Sequence, residues 1–125
     1  MFIARGNPVI YYGSESGFMR GRVEHHGNRS YLGEEASKQA QSHPIHSGHK
    51  AIAHTRAKAE SLQRDLMLID TLQCDVAVFC RVLAYQGKQE TVLVMLNKSA
   101  EAKTLRVDQH TQSGEWQDLL SGANT

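Results

Sequence analysis

The first pattern along the chain is a short apolar run at residues 8–12 (Pro-Val-Ile-Tyr-Tyr), which Gly13 closes. Continuous β-branched and aromatic residues between turn signals are typical of a strand buried on both faces, as in parallel sheets. Pro8 suits the first position of such a strand, where a ladder donor can be absent. The pattern therefore predicts a buried strand over residues 8–12.

The next two stretches predict a loop and a helix. Residues 14–42 show no hydrophobic period and are rich in glycine, which indicates a loop of a length that is usually functional. Pro44 suits the first position of a helix, where its missing N–H has no partner to lose. Apolar residues recur at seven-residue spacing from Ile45, so we expect the helix to continue to about Arg64.

From Leu66 onward the hydrophobic period changes to two, which is typical of strands. Gln86-Gly87-Lys88 indicates a turn between two of them. Four segments are predicted as strands: 76–83, 91–96, 104–107 and 115–119. Short strands at this spacing indicate an antiparallel sheet or a β-sandwich.

This order of elements predicts an α+β chain in two parts. Residues 1–65 supply one strand, a long loop and one helix of a β/α architecture. Residues 66–125 supply an antiparallel β-sandwich or part of one. The sequence therefore places a domain boundary near residue 65.

Composition and charge limit the classes of partner that the chain can bind. A hydrophobic fraction of 40% and a charged fraction of 22% are those of an ordinary globular domain. A net charge of +1 argues against nucleic acid, which needs a concentrated basic surface. No stretch is apolar and long enough to span a membrane, and the first residues show no secretory leader pattern.

Candidate metal and redox chemistry is weak. The chain has seven histidines, but they do not combine with cysteines or carboxylates at the spacing of a zinc site, so we expect no metal site. Cys74 and Cys80 flank or occupy one predicted strand, which would hold them too far apart for a disulfide. We interpret both as small packed residues. Trp116 is either a core residue of the β part or a surface platform for sugar.

A short motif resembles a known family. The segment from Arg5 to Glu15 is similar to the eighth barrel strand of the α-amylase superfamily, whose pattern is roughly Gly-x-Pro-x-x-Tyr-Tyr-Gly-x-Glu. The matching positions are Gly6, Pro8, Tyr11, Tyr12, Gly13 and Glu15. His43-Pro44-Ile45 through Arg64 resembles the eighth barrel helix, and residues 76–122 resemble the C-terminal sandwich domain. The resemblance is collinear with essentially the whole chain.

The same resemblance implies the site residues. Asn28 and Arg29 match an Asn-Arg pair that contacts glucose units in cyclodextrin glucanotransferases, and His25 stands where that family has an acidic residue. These three are the predicted substrate-binding residues. Tyr11, Tyr12, Gly13 and Glu15 are expected to be architectural residues at the strand end. Active sites of (β/α)₈ barrels lie in the loops after the strands, and Phe18 and Tyr31 in this loop could stack on sugar rings.

The resemblance implies a non-catalytic part of a larger enzyme. The family cleaves α-1,4-glucosidic bonds with retention, using carboxylates that would lie upstream of Met1, so no catalytic residue is expected here. The implied partners are α-glucans or malto-oligosaccharides, and the implied parent is secreted or periplasmic. No cofactor is expected, although the family allows calcium in the parent. Two alternatives stay open: a free-standing sugar-binding β-sandwich module, and an unrelated all-β domain with a chance motif.

Overall fold

In the computed structural model, residues 2–18, 31–64 and 66–124 are described, and they form two helices, two 3₁₀ turns and three strands. The first 3₁₀ turn (Ser14–Ser16) precedes helix α1 (Glu34–Ala40) and helix α2 (Pro44–Lys58). The second 3₁₀ turn (Glu60–Leu62) leads to strands β1 (Leu66–Gln73), β2 (Val76–Tyr85) and β3 (Lys88–Asn97). The chain divides into one unit of Met1–Asn7 with Thr55–Thr125 and another of Pro8–His54.

The three strands form an antiparallel sheet in the order β1-β2-β3. Gln86 and Gly87 connect β2 to β3 with positive φ angles of 50° and 79°, as a two-residue turn in a twisted hairpin requires. The predicted turn is therefore confirmed. In β1 the register shifts between Ile69 and Thr71, which interrupts the ladder at this edge of the sheet.

One hydrophobic cluster holds the second 3₁₀ turn against the sheet. Ala59 and Leu62 are buried against Phe79 of β2 and Val94 of β3, which lie opposite each other in the sheet. The Ser61 N–H also donates to the Glu90 carboxylate at 2.7 Å, so a side chain of β3 supplies an acceptor to this turn. Packing and a hydrogen bond together explain why the chain leaves the helix at Ala59.

Two arginines anchor the N-terminal segment (residues 2–6) to the same unit. The Arg56 guanidinium donates to the carbonyl oxygens of Phe2 at 2.7 Å and of Gly6 at 3.0 Å. It also donates to the carbonyls of Leu62 and Gln63. Arg81, only 1% exposed in β2, donates to the carbonyl of Ile3 at 3.4 Å. The backbone carbonyls of this segment are thus held by arginine side chains and not by a neighbouring strand of the described sheet.

The α+β class and the antiparallel sheet agree with the prediction, but several elements differ. Residues 8–12 form no strand. An isolated parallel strand gains no ladder hydrogen bonds, and Val9 is 74% exposed. Helix α1 lies inside the predicted loop, and α2 begins at Pro44 as predicted but ends at Lys58, because Ala59 is extended and buried.

The predicted sandwich is represented by one sheet in the described part of the chain. Residues 104–107 form no strand there, and residues 115–119 contribute only an isolated bridge between Gln117 and Asn124. Both segments have strand-like alternation, but neither finds a partner strand among the described residues. Strand β1, which sequence reasoning did not delimit, occupies the sheet edge instead. The boundary near residue 65 stays a prediction.

Candidate functional site

The Tyr-Tyr-Gly motif (residues 11–13) forms a tight turn at the end of the apolar segment. Ser14 N–H donates to the Tyr11 carbonyl at 3.0 Å, and Phe18 N–H donates to the Gly13 carbonyl at 2.9 Å. Gly13 has φ +79°, and a Cβ placed on it would lie 2.8 Å from the Cβ of Phe18. Backbone conformation and space therefore both require glycine at this position.

Tyr12 contacts both chain segments that flank residues 19–30. Its hydroxyl accepts a 2.7 Å hydrogen bond from the backbone N–H of Leu32, twenty residues later. Its ring meets the ring of Phe18 edge-on, with centroids 6.3 Å apart and planes at 76°. One side chain thus connects the residue before this stretch to a residue just after it.

A shallow cleft lies between Phe18 and the beginning of α1, and we call it the Phe18 cleft. It is lined by Phe18, Leu32, Gly33, Glu34, Glu35, Ala36 and Gln39. Phe18 and Leu32 are half-buried and provide apolar surface, whereas the side chains of Glu34, Glu35 and Gln39 are exposed. The cleft therefore combines an aromatic face with hydrogen-bonding groups.

Lys38 partly neutralises the acidic side of this cleft. Its ammonium lies 2.8 Å from the Glu34 carboxylate and 3.7 Å from that of Glu35, one turn earlier on α1. All three side chains are mostly exposed, so these ion pairs stabilise the helix only slightly. Counted over the described residues, these pairs leave the cleft with one formal negative charge rather than two.

The predicted substrate-binding residues His25, Asn28 and Arg29 lie outside the described residues. Of the predicted architectural residues, the structure brings Tyr12 and Gly13 into contact with Phe18. Tyr11 contributes its carbonyl to the turn and keeps a side chain that is 52% exposed. Glu15 lies in the first 3₁₀ turn and is half-buried.

Sequence reasoning named Phe18 but missed the side of the cleft that α1 provides. Glu35 and Gln39 line this side, and they lie in a stretch interpreted as loop. The available signal was the Glu34–Lys38 pair, whose i,i+4 spacing favours a helix, with Gly33 just before it. In a glycine-rich stretch without an apolar stripe, that signal was too local to define a helix.

Outside the cleft, the two cysteine thiols and the Asp118 carboxylate are the other groups of chemical interest. Cys74, in the β1–β2 turn, and Cys80, in β2, are both free. Cys80 is buried as predicted, whereas the prediction of a packed residue is wrong for Cys74, which is exposed because it lies in the turn outside the sheet. Burial, with a smaller effect of the Asp70 carboxylate, raises the pKa of the Cys80 thiol. Hydrogen bonds from the Ser121 hydroxyl and from backbone amides lower the pKa of Asp118.

Trp116 is half-buried, and its indole N–H donates to the Gln112 carbonyl at 3.3 Å. Across residues 2–18, 31–64 and 66–124, no three His, Cys, Asp or Glu side chains converge as a metal site would require. Neither described helix has the length and apolarity needed to cross a bilayer. Compared with protein-family models, with curated proteins and with solved structures, the chain gives no match.

Proposed function

We propose that this chain is the non-catalytic C-terminal portion of an α-glucan-active glycoside hydrolase or glucanotransferase. In this proposal residues 1–65 are the end of a catalytic (β/α)₈ barrel, and residues 66–125 are part of the C-terminal β-sandwich domain. The proposal rests on the motif resemblance. The structural observation that carries it is the apolar segment of residues 8–12, which has no strand partner among the residues that the structure describes.

That segment has the composition of a buried strand and the exposure of a surface loop. Val9 is 74% exposed, Ile10 41% and Tyr11 52%. With other described residues, the main chain of residues 8–10 forms no hydrogen bond. A β-branched and aromatic run with free backbone groups is a strong template for strand pairing. In the proposed enzyme, the neighbouring parallel strands of the barrel cover both of its edges.

The sheet gives a second, independent reason to expect more protein around this chain. On the sheet face that carries Phe79, one end is covered by Leu62, whereas the other end carries exposed apolar side chains. Ile69 is 57% exposed, Leu72 73% and Leu96 45%. The second sheet of a sandwich packs on a face of this kind.

The chemistry of the proposed parent is retaining cleavage of α-1,4-glucosidic bonds. Retaining glycosidases use one carboxylate as nucleophile and another as acid and base. Both belong to the proposed upstream part of the barrel, so this chain contributes substrate contacts and no catalytic group. Asn28 and Arg29, with His25 nearby in sequence, are the proposed contacts to malto-oligosaccharide. A secreted or periplasmic location, and calcium in the parent, belong to the same proposal.

Two measurements test this function. The purified chain, incubated with maltoheptaose, is expected to give no product. Turnover would contradict the proposal, because both catalytic carboxylates of the proposed enzyme lie upstream of this chain. The 5′ end of the transcript should then be mapped in the source organism. A reading frame that continues upstream with barrel motifs supports the proposal. A transcript start and ribosome-binding site directly before Met1 would contradict it.

The second candidate is a free-standing, non-catalytic sugar-binding module. The Phe18 cleft favours it, because an aromatic face beside carboxylate and amide groups can bind sugar without any barrel. The transcript distinguishes the two candidates: the module requires its own translation start, whereas the enzyme portion requires upstream coding sequence. Sugar binding alone is compatible with both.

A further inference from the structure

We infer that the Phe18 cleft is a binding subsite for one neutral hexose ring, and that Tyr12 is the residue that positions it. The identity of the sugar as a glucose unit of an α-glucan rests on the proposed function. The location of the subsite does not, because it follows from the described contacts of Tyr12, Phe18 and Leu32. The cleft is formed partly by helix α1, and no residue of that helix belongs to the motif that resembles the α-amylase superfamily.

The lining of the cleft matches the two kinds of surface on a sugar ring. The C–H face of a pyranose is apolar and packs on an aromatic ring, here Phe18, with Leu32 extending the apolar surface. The hydroxyls at the ring edge both donate and accept. Glu35 offers carboxylate acceptors and Gln39 offers an amide that does both, so hydroxyls can be satisfied in either role.

Charge argues against ionic ligands in the same cleft. The cation on α1 closest to the cleft's acidic residues is Lys38, and it is already paired with Glu34 and Glu35, so an anion would meet two carboxylates. A cation would compete with Lys38 for these carboxylates, and the described lining residues together with Lys38 offer only one net negative charge. A neutral polyhydroxylated ligand can accept and donate without displacing this ion pair.

Tyr12 fixes the two apolar walls relative to each other before any ligand binds. Its hydroxyl accepts from Leu32 N–H at 2.7 Å, and its ring contacts Phe18 edge-on. The close approach of Gly13 to Phe18 fixes the same wall from the backbone side. A subsite whose walls are ordered in the free protein loses less conformational entropy on binding.

The test is a titration of the full chain with maltoheptaose, followed by the amide NMR shifts of the chain. We expect the largest shifts at the cleft residues, with Leu32, Gly33 and Gln39 among them. Phe18→Ala should weaken binding about tenfold, which corresponds to about 1.4 kcal/mol. Gln39→Ala should weaken it several-fold without touching the packed side of the cleft. This second variant keeps the test valid if Phe18→Ala does not fold.

The positioning role of Tyr12 is tested with Tyr12→Phe. The matched control is Tyr11→Phe, which removes the phenolic hydroxyl of the preceding residue. Tyr12→Phe should weaken maltoheptaose binding several-fold and should increase hydrogen exchange of the Leu32 amide. Tyr11→Phe should leave both quantities unchanged. A Tyr12→Phe variant that lowers the melting temperature but binds maltoheptaose with unchanged affinity would show a structural role only and would overturn this part.

Three other results would overturn the subsite. The first is no binding of maltoheptaose at 10 mM (about the upper end of a useful titration). The second is binding with shifts centred on Trp116 instead of the cleft, and the third is tighter binding of tetramethylammonium than of sugar. These outcomes are separable from failure of the proposed function, which depends on the transcript. Upstream barrel coding sequence together with an empty cleft would reject the subsite alone.

Discussion

Replacing Arg56 with methionine should destabilise the unit that contains the sheet and release the N-terminal segment. Arg56 donates to four backbone carbonyls, those of Phe2, Gly6, Leu62 and Gln63. Two of these hydrogen bonds are partly buried and two are exposed. Hydrogen bonds to charged groups contribute about 1.5–3 kcal/mol each when buried, and much less in water. Methionine keeps the apolar volume of the side chain but removes every donor.

We expect the free energy of unfolding to fall by about 3 kcal/mol. The two partly buried hydrogen bonds account for most of this loss, and the contributions of four hydrogen bonds from one guanidinium do not simply add. For a chain of this length, that corresponds to a decrease in melting temperature of roughly 10 °C. Arg56→Lys should recover less than half of the loss, because one ammonium cannot replace the forked donors.

The assay is urea unfolding followed by circular dichroism, together with the rate of trypsin cleavage after Arg5. Arg5 is exposed and lies inside the anchored segment, so cleavage there should accelerate in Arg56→Met. Arg106→Met is the matched control. Arg106 is largely exposed and, among the described residues, pairs only with Asp108, so its loss should change stability by less than about 0.5 kcal/mol. Equal stability of the two variants, or unchanged cleavage after Arg5, would refute the anchoring role.

Three further predictions concern the core, the thiols and the C-terminal turn. Leu62→Ala should lower the free energy of unfolding by about 2–5 kcal/mol in urea titrations, because this side chain is fully buried in the cluster. Ellman's reagent should titrate one thiol in the native chain, Cys74, and both after unfolding. The folded-state pKa of the Cys80 thiol is raised, so folding favours its protonated form. This contribution to the free energy of unfolding should be fully present below the ordinary thiol pKa of about 8.5 and should be lost as the pH rises through the higher pKa of the folded state. Cys80→Ala should remove this loss of stability at alkaline pH. Carboxyl NMR titration should give Asp118 a pKa below its ordinary value, and Ser121→Ala should raise it, whereas an unchanged value would contradict the hydrogen bond from that hydroxyl.

The sequence predicted the elements whose signals are local. Pro44 marks the start of α2 because its ring suits a first helical turn, and Gln86-Gly87 marks the hairpin because both residues must adopt positive φ. These features depend on the backbone preferences of one or two residues. No distant partner is needed to satisfy them, so they can be predicted from a single chain.

The elements that sequence reasoning missed depend on distant partners. Residues 8–12 have strand composition, but strand formation requires a neighbouring backbone that no described residue provides. Helix α2 ends at Lys58 because the sheet buries Ala59 and Leu62, and the helical period alone gives no sign of that sheet. The candidate site follows the same rule: the turn at Gly13 could be anticipated from its glycine, whereas the Tyr12 contact with Leu32 spans twenty residues.

The arginine anchors also determine the order in which this chain can mature during synthesis. Residues 2–6 are translated before their partners, because Arg56 and Arg81 follow Phe2 and Ile3 by 54 and 78 residues respectively. The β2–β3 hairpin closes through a two-residue turn and can form as soon as it leaves the ribosome. The N-terminal segment is therefore synthesised well before its anchors and is among the last of the described segments to dock. The nascent chain meanwhile exposes the apolar residues Val9 and Ile10, which makes this stretch a natural binding site for a ribosome-associated chaperone.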